Sequence, residues 1–326
     1  MKGVIMKNKL WIIIFVLVCA AFVFVGILRK GTAKTIRHIA VIPKGTTHVF
    51  WQSIHAGAEK AAKEYGNVTI YWNGPEREGD REKEIQIVED FIVRHVDAVV
   101  LAPIDDKSLV PPVEKLYEAG IPCIIIDSGI DTEKYVSFVA TDNYQGGVLA
   151  AQRMGEILGG TGRVIVVKYM PGGASTTERE NGFFDTIAKD FPNIKIIDNK
   201  YGMDTVETAL QAVEDLLTKN PQFEGIYACN ESTTTGTLRA LQGRGLAGKV
   251  KFVGFDSSTL LIAGLRSGEI NALVVQNPFK MGYDGVRIAL DVLDGKKAPR
   301  KVDTGVKVVT VDNIEKPEIK ELLGIK

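Results

Sequence analysis

From residue 37 onward the chain repeats one pattern. Short apolar runs rich in Val and Ile, bounded by Gly, Pro, Asp or Asn, alternate with longer stretches whose apolar positions recur at helical spacing. The runs are HIAVIP (38–43), VTIYW (68–72), DAVVLAP (97–103), PCIIID (122–127), RVIVVKY (163–169), KIIDN (195–199), GIYACN (225–230), KFVGFD (251–256) and ALVVQN (272–277). Continuous apolar runs, as opposed to alternating ones, predict buried strands of a parallel sheet covered on both faces. Between them, Ile54/Ala58/Ala61/Ala62, Ile85/Val88/Ile92/Val96 and Leu210/Val213/Leu216/Leu217 mark the buried faces of amphipathic helices. Strand–helix units of about 30 residues imply right-handed crossovers and a doubly wound sheet.

Nine such strands exceed one comfortable sheet, and the alternation breaks in three places. SGIDTEKYVSFVATDN (128–143) holds a short apolar piece, Val136 to Ala140, but no helix; a second break follows ALVVQNP, and a third surrounds KVDTGVKVVTV (301–311). The expected fold is therefore α/β, with two doubly wound parallel-sheet lobes joined by a three-crossing hinge and a cleft between them. The expected lobes are residues 36–141 with 277–304 and residues 142–276 with 305–326.

The first 35 residues read as an address. Leu10 to Leu28 is nineteen residues without a charge, and a helix of that length spans about 28 Å, close to the hydrocarbon thickness of a bilayer. An uncleaved membrane anchor and a cleaved signal ending near Gly31-Thr32-Ala33 compete; a lipoprotein signal is the third reading, but Val18 stands where a small residue is expected and Cys19, mid-run, reads as an ordinary apolar helix residue. All three place the body outside the cytoplasmic membrane, in the periplasm or an equivalent extracytoplasmic space.

Charge sharpens that division. The chain carries 40 Lys+Arg and 40 Asp+Glu, but residues 1–34 hold six of the basic residues and none of the acids, which leaves the body at −6. An acidic body argues against nucleic acid as a partner. Cys123 and Cys229 sit inside apolar runs and read as small buried hydrophobes, not as a disulfide framework.

Enzyme signatures fail. Gly159-Gly160-Thr161-Gly162 follows a helix and precedes a strand, the reverse of a dinucleotide fingerprint, and the turn at 170–176 lacks the Lys of a phosphate loop. The four histidines show no metal spacing, and no G-x-S-x-G elbow occurs. No catalytic residue, metal or cofactor is expected. In open α/β sheets ligands gather beyond the carboxyl ends of the strands. Those ends carry Lys44, His48, Phe50, Trp51, Asp105, Asp106, Asp127, Ser128, Asn230, Glu231, Asp256, Gln276 and Asn277, and Arg179 opens the helix after Lys168. Hydrogen-bonding groups mixed with flat apolar faces suit a sugar, which has many hydroxyls to satisfy and C–H faces to stack. Taken singly, each Asp reads equally well as a helix cap and Phe50-Trp51 as core.

With these residues in order, residues 36–312 resemble the type I periplasmic sugar-binding proteins. These include the ribose- and allose-binding receptors of ABC transporters and are related to the ligand domains of lactose-repressor-type regulators. HIAVIPKGTTHVFWQSIHAGAEKAAKEYG, DAVVLAPID, AGIPCIIIDSGI, VATDNYQGGVLAA, TERENGF, CNESTTTGTLRALQ, VGFDSS and VVQNPFKMGYDGV carry the resemblance. It implies that Phe50 and Trp51 stack on a monosaccharide. It also implies that Lys44, His48, Asp127, Arg179, Asn230, Asp256 and Gln276 bond its hydroxyls. Ser128 stands where pentose binders often carry Arg, Met203 where many members carry an aromatic lid, and His48 where Asn is more usual. The implied function is a monomeric receptor that closes on a hexose, pentose or related polyol and delivers it to an ABC permease. The alternative is a membrane-tethered sugar sensor that docks on a chemoreceptor or sensor kinase.

Overall fold

The computed structural model describes residues 35–325; Leu10–Leu28 and Cys19 lie outside the described residues. Twelve strands form two six-stranded sheets. The first holds β1 (Arg37–Ile42), β2 (Val68–Trp72), β3 (Ala98–Leu101), β4 (Cys123–Ile126), β5 (Ser137–Ala140) and β11 (Lys301–Asp303), in the order β11-β5-β4-β3-β1-β2. The second holds β6 (Thr161–Lys168), β7 (Asn193–Tyr201), β8 (Gly225–Ala228), β9 (Lys251–Phe255), β10 (Ala272–Gln276) and β12 (Val306–Val309), in the order β12-β10-β9-β8-β6-β7. The helices are α1 (Val49–Tyr65), α2 (Arg81–Val93), α3 (Val110–Glu118), α4 (Asn143–Ile157), α5 (Ala174–Asp190), α6 (Val206–Lys219), α7 (Glu231–Gly243), α8 (Thr259–Arg266), α9 (Pro278–Leu293) and α10 (Pro317–Leu323).

The central strands of each sheet are buried on both faces, as the continuous apolar runs require. In β1, Ile39 and Val41 join one core cluster while Ala40 and Ile42 join another; in β6, Ile165 and Val167 face away from Val164 and Val166 in the same manner. Helices close in where side chains are absent. A Cβ on Gly282 of α9 would fall 1.9 Å from the carbonyl oxygen of Ile54 in α1, so these two helices meet backbone to backbone.

The chain passes between the lobes three times: after β5 into α4, after β10 into α9, and from β11 through Thr304-Gly305 into β12. The last passage departs from the all-parallel expectation. β12 enters its sheet at the end where β10 leaves it, pairing Val306 with Gln276 and Val309 with Leu273, and so runs antiparallel. In each sheet the order reverses beside the first strand, which places a switch point at β1/β3 and another at β6/β8. The loops beyond these strands are the ones expected to meet a ligand.

Candidate functional site

The loops at the carboxyl ends of both sheets face each other across a closed cleft. Lys44, His48, Phe50, Trp51, Glu78 and Asp127 line it from the first lobe, Tyr169, Ser175, Thr176, Arg179, Asn230, Glu231 and Asp256 from the second, and Gln276 from the hinge.

Two aspartates occupy equivalent places. Asp127 follows β4 at φ 63° and Asp256 follows β9 at φ 67°, left-handed conformations that a branched side chain rarely adopts. Each turns its carboxylate into the cleft beside a buried cation. Asp127 pairs with Lys44 Nζ at 2.7 Å, and Asp256 lies 3.8 Å from the Arg179 guanidinium and accepts from Gln276 Nε2 at 2.7 Å. Arg179 is held on all sides: it donates to Asn143 Oδ1 (2.8 Å) and to the Cys229 carbonyl (3.0 Å), and it stacks on Phe255 at 4.0 Å. Burial pushes the Asp256 carboxyl above the usual range, with Arg179 and Gln276 opposing.

Glu78, from the polar loop between β2 and α2, is a second centre. Its carboxylate accepts from Trp51 Nε1 (2.5 Å) and Tyr169 OH (2.5 Å) and pairs with His48 Nδ1 (2.9 Å). Burial disfavours both charges, yet the pairing wins: His48 rises to about 9, and Glu78, with Tyr169 and Trp51 also donating, falls to about 2. Trp51 is packed into the lobe core and meets Phe50 edge to face, ring centroids 4.9 Å apart. Phe50 is only half-buried.

The amino end of α1 lacks a cap of its own. His48 occupies the N-cap position, but its side chain makes no capping bond. Instead, the Phe50 N–H donates to Glu231 Oε2 at 3.2 Å from the opposite lobe. Burial raises the Glu231 carboxyl to about 7, with Asp256 and Glu78 adding to the rise while His48 and the Phe50 N–H oppose it.

Further contacts seal the rim. Arg77 forks onto both oxygens of Asp204 (3.1 and 3.2 Å), Arg81 donates to the Pro171 carbonyl (2.6 Å), the Asp106 N–H to the Gly172 carbonyl (3.1 Å), and the Ser175 N–H to Ser128 Oγ (3.1 Å). Gly172 is obligatory here: its φ is +92°, and a Cβ would fall 2.1 Å from the Asp105 carboxylate.

Of the eleven residues expected from sequence, Lys44, His48, Phe50, Trp51, Asp127, Arg179, Asn230, Asp256 and Gln276 line one cavity. Ser128 is fully buried behind it as the acceptor for Ser175. Met203 stands outside, 41% exposed at the outer mouth beside Arg77 and Asp204. Asn230 is also spent locally, its Oδ1 capping α7 by accepting from the Thr233 N–H. Glu78, Tyr169, Ser175 and Thr176 line the cavity without having been expected. A reading of the end of β6 as strictly as those of β1 and β4 would have found Tyr169. Among the described residues no acidic, His and Cys side chains cluster as metal ligands, and no helix is long and apolar enough to cross a membrane.

Comparison with known proteins agrees with this architecture. The D-ribose/D-allose-binding protein of Pseudomonas aeruginosa is 30% identical over 303 residues, 90% of this chain and 94% of that protein. A solute-binding protein of a carbohydrate transporter from Agrobacterium radiobacter, solved with D-arabinose, superposes with a TM-score of 0.86 at 36% identity, covering 90% of this chain and 100% of that one. An ABC transporter solute-binding protein from Agrobacterium vitis with bound D-fucose gives 0.85 at 38% identity over 88% and 99% of the two chains. The profile of the periplasmic binding protein domain matches residues 39–297, through both lobes and the first two crossings. The chain therefore belongs to the periplasmic binding protein family.

Proposed function

We propose that the protein is an extracytoplasmic receptor that closes around a monosaccharide between its lobes and hands it to the permease of an ABC importer. It works as a monomer and performs no turnover. The observation that carries this reading is the opposition, across one closed cleft, of two matched carboxylate–cation sets next to an aromatic pair: Asp127–Lys44 from one lobe, Asp256–Arg179 from the other, and Phe50–Trp51 beside them. Buried charged donors and acceptors bond hydroxyls at about 1.5–3 kcal/mol each, and an aromatic face covers the apolar side of a pyranose or furanose ring.

Hinge passages at 141–142, 277 and 304–305 let the lobes part, and a sugar bonded by both favours the closed arrangement by its differential contacts. The leader, whether retained as an anchor or removed, delivers the acidic body across the membrane. The test is a thermal-shift screen of residues 35–326, which contain the compact unit His38–Lys326, against a monosaccharide panel, followed by calorimetry. One or a few sugars are expected to raise the melting temperature by several degrees. A panel of pentoses, hexoses and polyols without any shift refutes the reading.

A further inference from the structure

Glu78 is absent from the set of residues that the sequence placed at the site, and its position gives it two tasks. Three of the four groups in its cluster belong to the first lobe: Glu78 itself, the Trp51 indole and His48. This part is assembled whether the lobes are open or closed. The fourth, Tyr169, comes from the second lobe and reaches Glu78 Oε2 only when they meet. The His48 ring spends Nδ1 on Glu78, which leaves Nε2 as its remaining polar atom at the cavity.

We propose that Glu78 is a positioning residue that keeps His48 a donor at both ring nitrogens, so that at this corner of the cleft the bound sugar oxygen must accept a charge-assisted hydrogen bond and cannot donate one. A neutral imidazole would offer one donor and one acceptor, and an Asn in its place would offer both as well. The paired imidazolium offers only donors and so distinguishes ligands that must accept from those that must donate at that point. The other charged groups of the cavity are Glu231 at the start of α7, Asp256 after β9 with its partner Arg179 of α5, and the mutually paired Lys44 and Asp127 after β1 and β4. Glu231 and Asp256 both favour the protonated ring, but only Glu78 touches it. The Tyr169 bond adds a contact between the lobes that no ligand atom is needed to make.

The ligand class assumed here is that of the proposed function, so the first measurement needs no sugar. Proton NMR titration of the four histidines, with His48 assigned from His48→Asn, is expected to show His48 titrating above 6.5 in the wild type, because its Glu78 partner sits in the same lobe, and lower in Glu78→Gln. A wild-type His48 that titrates near 6.5, or a Glu78→Gln protein in which it does not move, overturns the proposal. The wild-type arm decides even if the variant fails to fold.

The second measurement uses D-arabinose, D-fucose and D-allose by calorimetry. The ratio of wild-type to Glu78→Gln affinity is expected to widen by about tenfold from pH 5.5 to 8, as His48 loses its charge in the variant only. Because Glu231 feels the charges of both His48 and Glu78, the comparison is made in a Glu231→Gln background, which removes its titration from both proteins. Tyr169→Phe is expected to weaken binding equally at every pH and to leave the His48 titration untouched. A pH-independent Glu78→Gln ratio means that Glu78 acts only as a clamp and overturns the specificity role. Absence of binding across the full monosaccharide panel refutes the proposed function, while the NMR result still decides the role of Glu78.

Discussion

Closure is expected to take up a proton, and Glu231 is the group that binds most of it. In the closed cleft burial carries this carboxyl to about 7; with the lobes apart and water at the group it is expected to return towards its ordinary 4.5. A group held higher in the closed state binds its proton more tightly there, so its contribution to closure is complete below about 4.5 and lost as pH rises through about 7. Between those limits, binding of a sugar that closes the lobes should absorb about 0.9 proton at pH 6 and about 0.5 at pH 7. The same linkage weakens affinity roughly twentyfold from pH 5.5 to 7.5. His48 and Glu78, near 9 and 2, keep their charges throughout and contribute almost nothing. Calorimetry at pH 6 in buffers of different ionisation enthalpy reads the uptake directly, and Glu231→Gln should remove most of it and flatten most of the pH profile, with Asp256, also pushed up by burial, supplying the remainder. Sugar binding at pH 6 without proton uptake would refute the assignment.

Other substitutions separate the roles. Asp127→Asn leaves the Lys44 ammonium buried without its counter-charge in the closed state, a loss of about 3 kcal/mol or more; calorimetry should show sugar affinity down by over a hundredfold, with urea stability far less affected because an open lobe hydrates Lys44. Gly282→Ala drives a methyl into the Ile54 carbonyl at 1.9 Å, and urea unfolding should register about 2–3 kcal/mol of destabilisation from overpacking. Cys123 and Cys229 are both buried, and burial alone lifts the Cys123 thiol to about 12; neither should react with an aromatic disulfide reagent until the 35–326 fragment is unfolded.

The sheets were legible because their central strands are buried on both faces, so that segments such as IAVI and VIVV announce themselves without any pattern of alternation. The edges were not. β11 and β12 are short and half-exposed, and read as a break at KVDTGVKVVTV because a strand with one wet face and three or four residues leaves little period to detect. Val136–Ala140 stood out as an apolar piece, and only its pairing with Ile124–Ile126 makes it a strand. At the site, Lys44, Asp127 and Asp256 were visible because they end apolar runs. Glu78 was hidden in GPEREGD, where every neighbour is polar and nothing in the composition separates a buried carboxylate from a solvated one. Only the arrival of His48 and Trp51 from the start of α1 and of Tyr169 from the end of β6 distinguishes it. Met203 shows the converse: its place in the order of motifs suggested the cleft, and a half-turn of backbone at φ 62° leaves it at the mouth.

The three passages between lobes also limit how this molecule can move. A pair of bodies tied by a single strand can swing, twist and drift apart; tied at three points, they keep essentially one coordinate, rotation about the line of attachment. Every separation across the cleft then becomes a function of the same angle. The distance between two labels on opposite rims, at Arg77 and Asp204, would report the state of Asp127, Asp256 and Glu78 together. A docking protein that grips both lobes needs to sense only that angle to know whether the chamber is filled.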